Sequence, residues 1–223
     1  MNNLIIIPSL NPNRKLISII NDLKKNNINN ILVIDDGSTS KKIFDELGND
    51  VIIIHHDKNY GKGAALKTAF KNYDKYFKNI DGFITADSDG QHDVSDIIKL
   101  NDSLKDNVIF GVRNFKSKGV PFKSRLGNNL SSILLRIKTG MKLIDTQTGL
   151  RAFPVSYKKI LLSIDGNRFE YEMNILMYLA KNKIKIEQIP IKTIYENKNK
   201  GSNYKAFKDS IKIFTNIFKK SSN

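Results

Sequence analysis

Five short apolar runs, mostly β-branched, punctuate the first half of the chain: Leu4–Ile7, Ile31–Ile34, Val51–Ile54, Gly82–Thr85 and Val108–Phe110. Each is short and evenly apolar, with turn residues after it, so each reads as a strand buried on both faces. Between them, residues 13–26, 40–47, 62–77 and 94–105 carry apolar side chains on one helical face. Alternation of this kind predicts an α/β fold: an open, mostly parallel sheet flanked by helices. Ligands of such sheets gather outside the carboxyl ends of the strands, so the residues after each run are the ones to inspect.

The second half is less regular. A helix is expected over 124–138, with Leu126, Leu130, Ile133, Leu134 and Ile137 on one face. Residues 145–153 read as a loop entering a short strand, 170–181 as a helix, and 184–194 as one or two strands interrupted at Pro190. A basic amphipathic helix is expected over 204–219, with Tyr204, Phe207, Ile211, Phe214 and Phe218 at helical spacing. With 223 residues, 40% of them apolar, the chain fits one domain spanning 1–223. Its organisation reads as a ligand-binding half (1–110), a second half (111–200) and the basic segment 201–223.

The chain has no cysteine and three histidines, which excludes thiolate chemistry and argues against a histidine-rich metal centre. Any metal is then held by oxygen ligands, which points to Mg2+ or Mn2+. A net charge of +15 favours a polyanionic partner: nucleic acid, an anionic membrane surface or phosphorylated substrates. No helix-turn-helix, RNP or zinc-finger pattern supports nucleic acid. No stretch approaches the roughly 18–20 apolar residues of a membrane span. The first apolar run, ending at Pro8, is too short for a signal sequence. The expected location is the cytoplasm, with peripheral contact at the inner face of the membrane.

The ends of the five runs share a character. Pro8, Ser9 and Asn11 follow the first, and Asp35-Asp-Gly-Ser-Thr39 the second. Asn59-Tyr-Gly-Lys-Gly63 stands behind the third, Asp87-Ser-Asp-Gly-Gln91 after the fourth and Gly111-Val-Arg113 after the fifth. Asp87 and Asp89 straddle one residue, so one divalent ion can meet both carboxylates and bridge a diphosphate. Gln91 is near enough to join them. Asp93 reads as a helix N-cap, with Asp96 in the first turn. Asp35 and Asp36 suit a turn and cap, and equally suit a nucleotide's base or ribose. Gly61 and Lys62 open a helix and can turn backbone N–H groups and an ammonium towards phosphate. The spacing is not that of a Walker A loop. A nucleotidyltransferase would need a glycine-rich loop with Arg and Lys after the first run, and none is there.

Taken in order, P-S-x-N, D-D-G-S, N-x-G-K-G-x-A-L and D-S-D-G-Q-H resemble the family-2 glycosyltransferases of the GT-A fold. Gly111-Val-Arg113, Ser124-Arg125, Asp145-Thr-Gln-Thr-Gly-Leu-Arg151 and Arg168-Phe-Glu-Tyr-Glu172 are similar to one branch of them. That branch contains dolichyl-phosphate mannose synthase and the bacterial polyprenyl-phosphate glycosyltransferases. The resemblance runs to about Lys205. It implies nucleotide contacts from Pro8, Ser9, Asp35, Asp36, Gly61, Lys62, Asp87 and Ser88, with Pro8 beside the base. It implies metal and donor diphosphate at Asp87, Asp89 and Gln91, and a grip on the acceptor's phosphate by Arg113 and Arg125. The acidic residue that the family carries after the first strand is replaced by Asn11-Pro12-Asn13, so any contact made there differs.

The resemblance implies a metal-dependent, inverting hexosyl transfer from a nucleotide-diphosphate sugar, a UDP-sugar by analogy, to a polyprenyl phosphate. The alternative is the same fold acting on a hydroxyl of a cell-surface polysaccharide, glycolipid or protein. A phosphate monoester is already largely deprotonated at neutral pH and needs no base. A hydroxyl does, and the candidates are Asp145 and Glu172.

Overall fold

The computed structural model describes residues 1–115, 122–192 and 194. Its centre is β1 (Asn3–Ser9), whose seven residues are all buried. Leu4 and Ile6 face one apolar cluster while Ile5 and Ile7 face another. β2 (Ile31–Asp35) divides the same way: Leu32 and Ile34 join the first cluster, Ile31 and Val33 the second. Both faces of the sheet are therefore covered, which is why the runs are continuous rather than alternating. Burying each such aliphatic side chain stabilises the fold by about 1.5–3 kcal/mol.

The remaining strands are β3 (Ile52–His55), β4 (Gly82–Thr85), β5 (Val108–Arg113), β6 (Arg151–Pro154) and β7 (Ile186–Ile191). They form one seven-stranded sheet in the order β3-β2-β1-β4-β6-β5-β7. All pairings are parallel except those of β6, which runs antiparallel to both β4 and β5. Pro190 does not interrupt β7. As the last strand of the sheet, β7 can accommodate a residue lacking an N–H.

On the second cluster's side lie α1 (Lys15–Lys25), through Leu16, Ile19, Ile20 and Leu23, the short α2 (Lys42–Asp45) and α4 (Val94–Ser103), through Ile97 and Leu100. Asp93 caps α4 by accepting from Ser95 N at 2.9 Å, as its position predicts. The other face is covered by α3 (Lys62–Asn72), α5 (Phe122–Thr139), α6 (Lys158–Ser163) and α7 (Glu170–Lys181). The helix expected over 62–77 stops at Asn72 and continues only as a 3-10 turn, Tyr73–Lys75. The short α6 went unanticipated. Among the described residues, no helix is long and apolar enough to cross a membrane.

The apolar face of α5 is not the one that docks on the core. Leu126, Leu130, Ile133 and Ile137 are exposed, and only Leu134 is half-buried. The docked side consists of Asn128, Ser131 and Leu135. Asn128 donates to Ile144 O at 2.6 Å and accepts from Thr146 N at 3.1 Å, while Ser131 and Thr146 join their hydroxyls at 2.9 Å. Hydrogen bonds to the 144–146 loop fix the helix's rotation, a polar signal that an apolar-face argument overlooks. The helix expected over 204–219 lies outside the described residues.

Candidate active site

The C-terminal ends of β1, β2, β4 and β5 and the start of β6 share one edge of the sheet, and the motif residues collect there. Ser9 ends β1 in register with Asp35, and its buried hydroxyl has no hydrogen-bond partner. Pro8 is buried beside it, in register with Ile34. Asp35 is fully buried and accepts from Ser38 N at 2.8 Å, from Lys41 and from His55 Nδ1 at 2.7 Å. Burial works to raise its carboxyl, but Lys41, Ser38 and His55 hold it down to about 2.

Asp36 serves the next loop. It accepts from Tyr60 N at 3.0 Å, Gly61 N at 2.8 Å and His56 Nδ1 at 2.8 Å. Gly61 has φ 105°, and a Cβ there would lie 2.5 Å from Asn167 O, so only glycine fits. The loop thus opens α3 and aims Lys62 inward. Lys62 does not reach into open space. Its ammonium sits 2.7 Å from Asp87 Oδ1 and 2.9 Å from Glu172 Oε2. Burial alone would lower the lysine, yet Asp87 and Glu172 raise it, so it stays charged.

Asp87 also meets His92 Nε2 at 3.2 Å. Burial pushes its carboxyl up, but Lys62 and then His92 hold it well below the usual carboxylate range. A Cβ on Gly149 would collide with that carboxylate, so the T-Q-T-G stretch is packed directly against Asp87. Asp89 differs. The residue is exposed, yet atoms packed around its carboxyl, and then the charge of Asp87, raise its pKa. Gln91 N donates to Asp89 Oδ1 at 3.0 Å, and among the described residues no cationic side chain pairs with Asp89. Ser88, between the two aspartates, is half-buried.

Across β6 stand Arg113 and Asp145. The guanidinium donates from Nε at 2.6 Å and Nη2 at 3.2 Å to the two oxygens of a fully buried carboxylate. Gln147 N adds a bond to Asp145 at 3.0 Å. Asp145 is thereby a holder of Arg113. Arg125, on the first turns of α5, is half-buried, and its Nε is buried without a partner.

Three comparisons bear on this arrangement. The model of "Glycosyl transferase family 2" matches residues 4–161. The chain belongs to that family. The transferase is 34% identical over 215 residues to the UDP-N-acetylglucosamine–dolichyl-phosphate N-acetylglucosaminyltransferase of Methanococcus voltae, covering 86% of this chain and 85% of the relative. It is 26% identical to glycosyltransferase AglJ of Haloferax volcanii, covering 97% of this chain and 71% of the relative. Among solved structures, mannosyl-3-phosphoglycerate synthase from Rubrobacter xylanophilus superposes with a TM-score of 0.75 at 12% identity, over 99% of this chain and 75% of that one. Glucosyl-3-phosphoglycerate synthase from Mycobacterium tuberculosis, in complex with Mn2+, UDP and glucosyl-3-phosphoglycerate, gives 0.69 at 15%, over 95% and 78%. The fold of the transferase is accordingly the GT-A type expected from the motif order.

Sequence reasoning gave His55 and His56 no role and read His92 only as part of the D-S-D-G-Q-H motif, yet each of the three holds a motif aspartate: His55 holds Asp35, His56 holds Asp36, His92 holds Asp87. His55 ends β3 in register with Asp35, the last residue of the neighbouring strand. Glu172, a candidate base or a structural ion-pair partner from sequence, is the second anchor of Lys62, and its Oε1 is buried without a partner.

Proposed function

We propose that this glycosyltransferase moves a hexose from a UDP-sugar to a polyprenyl phosphate, inverting the anomeric carbon. The observation that carries the reading is Arg125. A buried guanidinium Nε without a partner is costly unless an oxyanion completes it, and guanidinium forks match phosphate oxygens. Arg113, held rigid by Asp145, is the second cation expected to meet that phosphate. The Methanococcus relative, whose name specifies a dolichyl phosphate acceptor and a UDP-sugar donor, supports the same reading.

Among the described residues no three His, Cys, Asp or Glu side chains form a ready-made metal cluster. A Mg2+ or Mn2+ site completed by substrate phosphates needs only one or two carboxylates. Asp89, whose carboxylate accepts only from the Gln91 N–H among the described residues, fits that requirement, and the Mycobacterium neighbour supports it through its Mn2+ and UDP. Asp87, Asp89 and Gln91 would hold the ion, whose charge offsets that developing on the departing diphosphate. Pro8, Ser9 and the loops braced by Asp35 and Asp36 would seat the nucleotide, with Gly61 and Ser88 bordering it. Lys62 fixes Asp87 in place. The acceptor phosphate, already ionised, attacks the anomeric carbon from the face opposite the diphosphate and needs no base.

The test is a panel of nucleotide-sugars assayed with and without Mn2+ and with a short polyprenyl phosphate. Transfer to the lipid phosphate from a UDP-sugar, abolished by EDTA, is the expected result. Transfer only to a hydroxyl acceptor, or full activity in EDTA, overturns it.

A further inference from the structure

Leu126, Leu130, Ile133 and Ile137 recur at spacings of four, three and four along α5 and are 56%, 40%, 54% and 72% exposed. Ile144, 59% exposed, follows in the next loop. Aliphatic side chains exposed singly are ordinary; a continuous stripe over about three helical turns marks a surface that meets something. The helix is not free to roll and hide them, because Asn128, Ser131 and Leu135 already fix its other side.

Charge identifies the occupant. Between Asp106 and Asp145 the sequence has no acidic residue, and every charge is lysine or arginine. Arg136 and Lys142 are exposed at the far end of the stripe. An aliphatic stripe on a segment whose only charges are cations is what an anionic bilayer interface recognises. We infer that α5 is a bilayer-docking face: its stripe enters the headgroup–acyl boundary of an anionic membrane while Arg136 and Lys142 meet lipid phosphates. This rests on the acceptor reading above in one respect, that Arg125 on the same helix then lies at headgroup depth, where a lipid-borne phosphate is presented.

The test uses the full chain, co-sedimented with phosphatidylcholine vesicles with or without phosphatidylglycerol, at rising salt. Binding is expected only with the anionic lipid and should weaken as salt rises. Ile133→Glu with Ile137→Glu should lower partitioning about tenfold or more, since charge on the apolar face opposes insertion. Donor hydrolysis and melting temperature should not move. The milder pair Ile133→Ser and Ile137→Ser should give an intermediate loss.

Four results overturn the inference. Partitioning unchanged by the substitutions does so outright. A wild-type dimer that they split, without vesicle binding, assigns the face to a second copy. A lower melting temperature with new protease cleavage assigns it to the chain's own segment after Ile194. Vesicle binding without turnover of polyprenyl phosphate keeps the docking face and removes the acceptor reading. Turnover of detergent-dispersed acceptor without vesicle binding does the reverse.

Discussion

His92 reaches Asp87 through Nε2 at 3.2 Å, while its Nδ1 is buried and unpartnered. An ionised carboxylate only accepts, so the ring carries its proton on Nε2, and Lys62 grips the other oxygen of Asp87. Asp87 is thus held from both sides, whereas among the described residues the Asp89 carboxylate accepts only from the Gln91 N–H. Asp89→Asn should therefore leave the melting temperature nearly unchanged and reduce donor turnover by about 100-fold or more, as removal of a transition-state charge contact does. His92→Ala should cost less, because Lys62 still positions Asp87. Steady-state rates at saturating Mn2+ and thermal melts check both.

Arg113 and Arg125 should part company on truncation. Removing the Arg113 side chain leaves Asp145 buried with backbone N–H donors but without its guanidinium, which costs about 3–5 kcal/mol of stability. Adding Asp145→Asn should return part of that. Arg125→Ala leaves no such orphan and should raise the acceptor KM roughly tenfold or more with donor affinity unchanged. Donor affinity falling in step would move Arg125 to the nucleotide.

Glu172 separates the two acceptor chemistries. With a phosphate acceptor, Glu172→Gln should alter kcat only a few-fold, since the amide still accepts from Lys62. If a hydroxyl is the acceptor and Glu172 its base, the loss should be about 100-fold or more. A kcat measured against both acceptor types decides.

Asp35 sets a pH dependence. Its folded pKa, about 2, lies below the unfolded value near 3.8. The stability it contributes is therefore complete above about pH 4 and lost as pH falls towards 2. Asp35→Asn should cost about 1.5–3 kcal/mol at neutral pH, the range for a charged hydrogen bond. Urea titrations of the two proteins should converge near pH 2. A gap that persists there would tie the cost to shape instead of charge.

On α5, Leu135→Ala should cost about 2–5 kcal/mol through the cavity it leaves, while Ile133→Ala should stay within about 0.5 kcal/mol. Equal losses would restore the apolar-face reading.

Apart from β3, which is only half-buried at the sheet's end, the strands of the first half were legible because burial on both faces leaves an unbroken apolar run, and each run ended within a few residues of its observed strand. The edge where Asp35, Asp87 and Arg113 meet followed from that topology. α5 was misread because its aliphatic residues advertise a face that its hydrogen bonds to Thr146 and Ile144 override. The partners of the aspartates were invisible for another reason. A histidine beside a motif carries no period or spacing, and Asp145 and Arg113 stand 32 residues apart in sequence, joined only once β6 runs back between β4 and β5.

That reversed strand has a mechanical meaning. A parallel neighbour would deliver only its exit to the edge where β4 and β5 end; β6 delivers its entrance. The turn before it is clamped by Thr85 Oγ1, which donates to Gly149 O at 2.9 Å, and by Gly111 N, which donates to Leu150 O at 2.9 Å. One stretch of backbone is therefore stitched to both the strand that carries Asp87 and the strand that carries Arg113. If Asp87 seats the diphosphate and Arg113 the nucleophile, as proposed, the gap between them is a dimension of the sheet's own lattice, set by hydrogen-bond spacing.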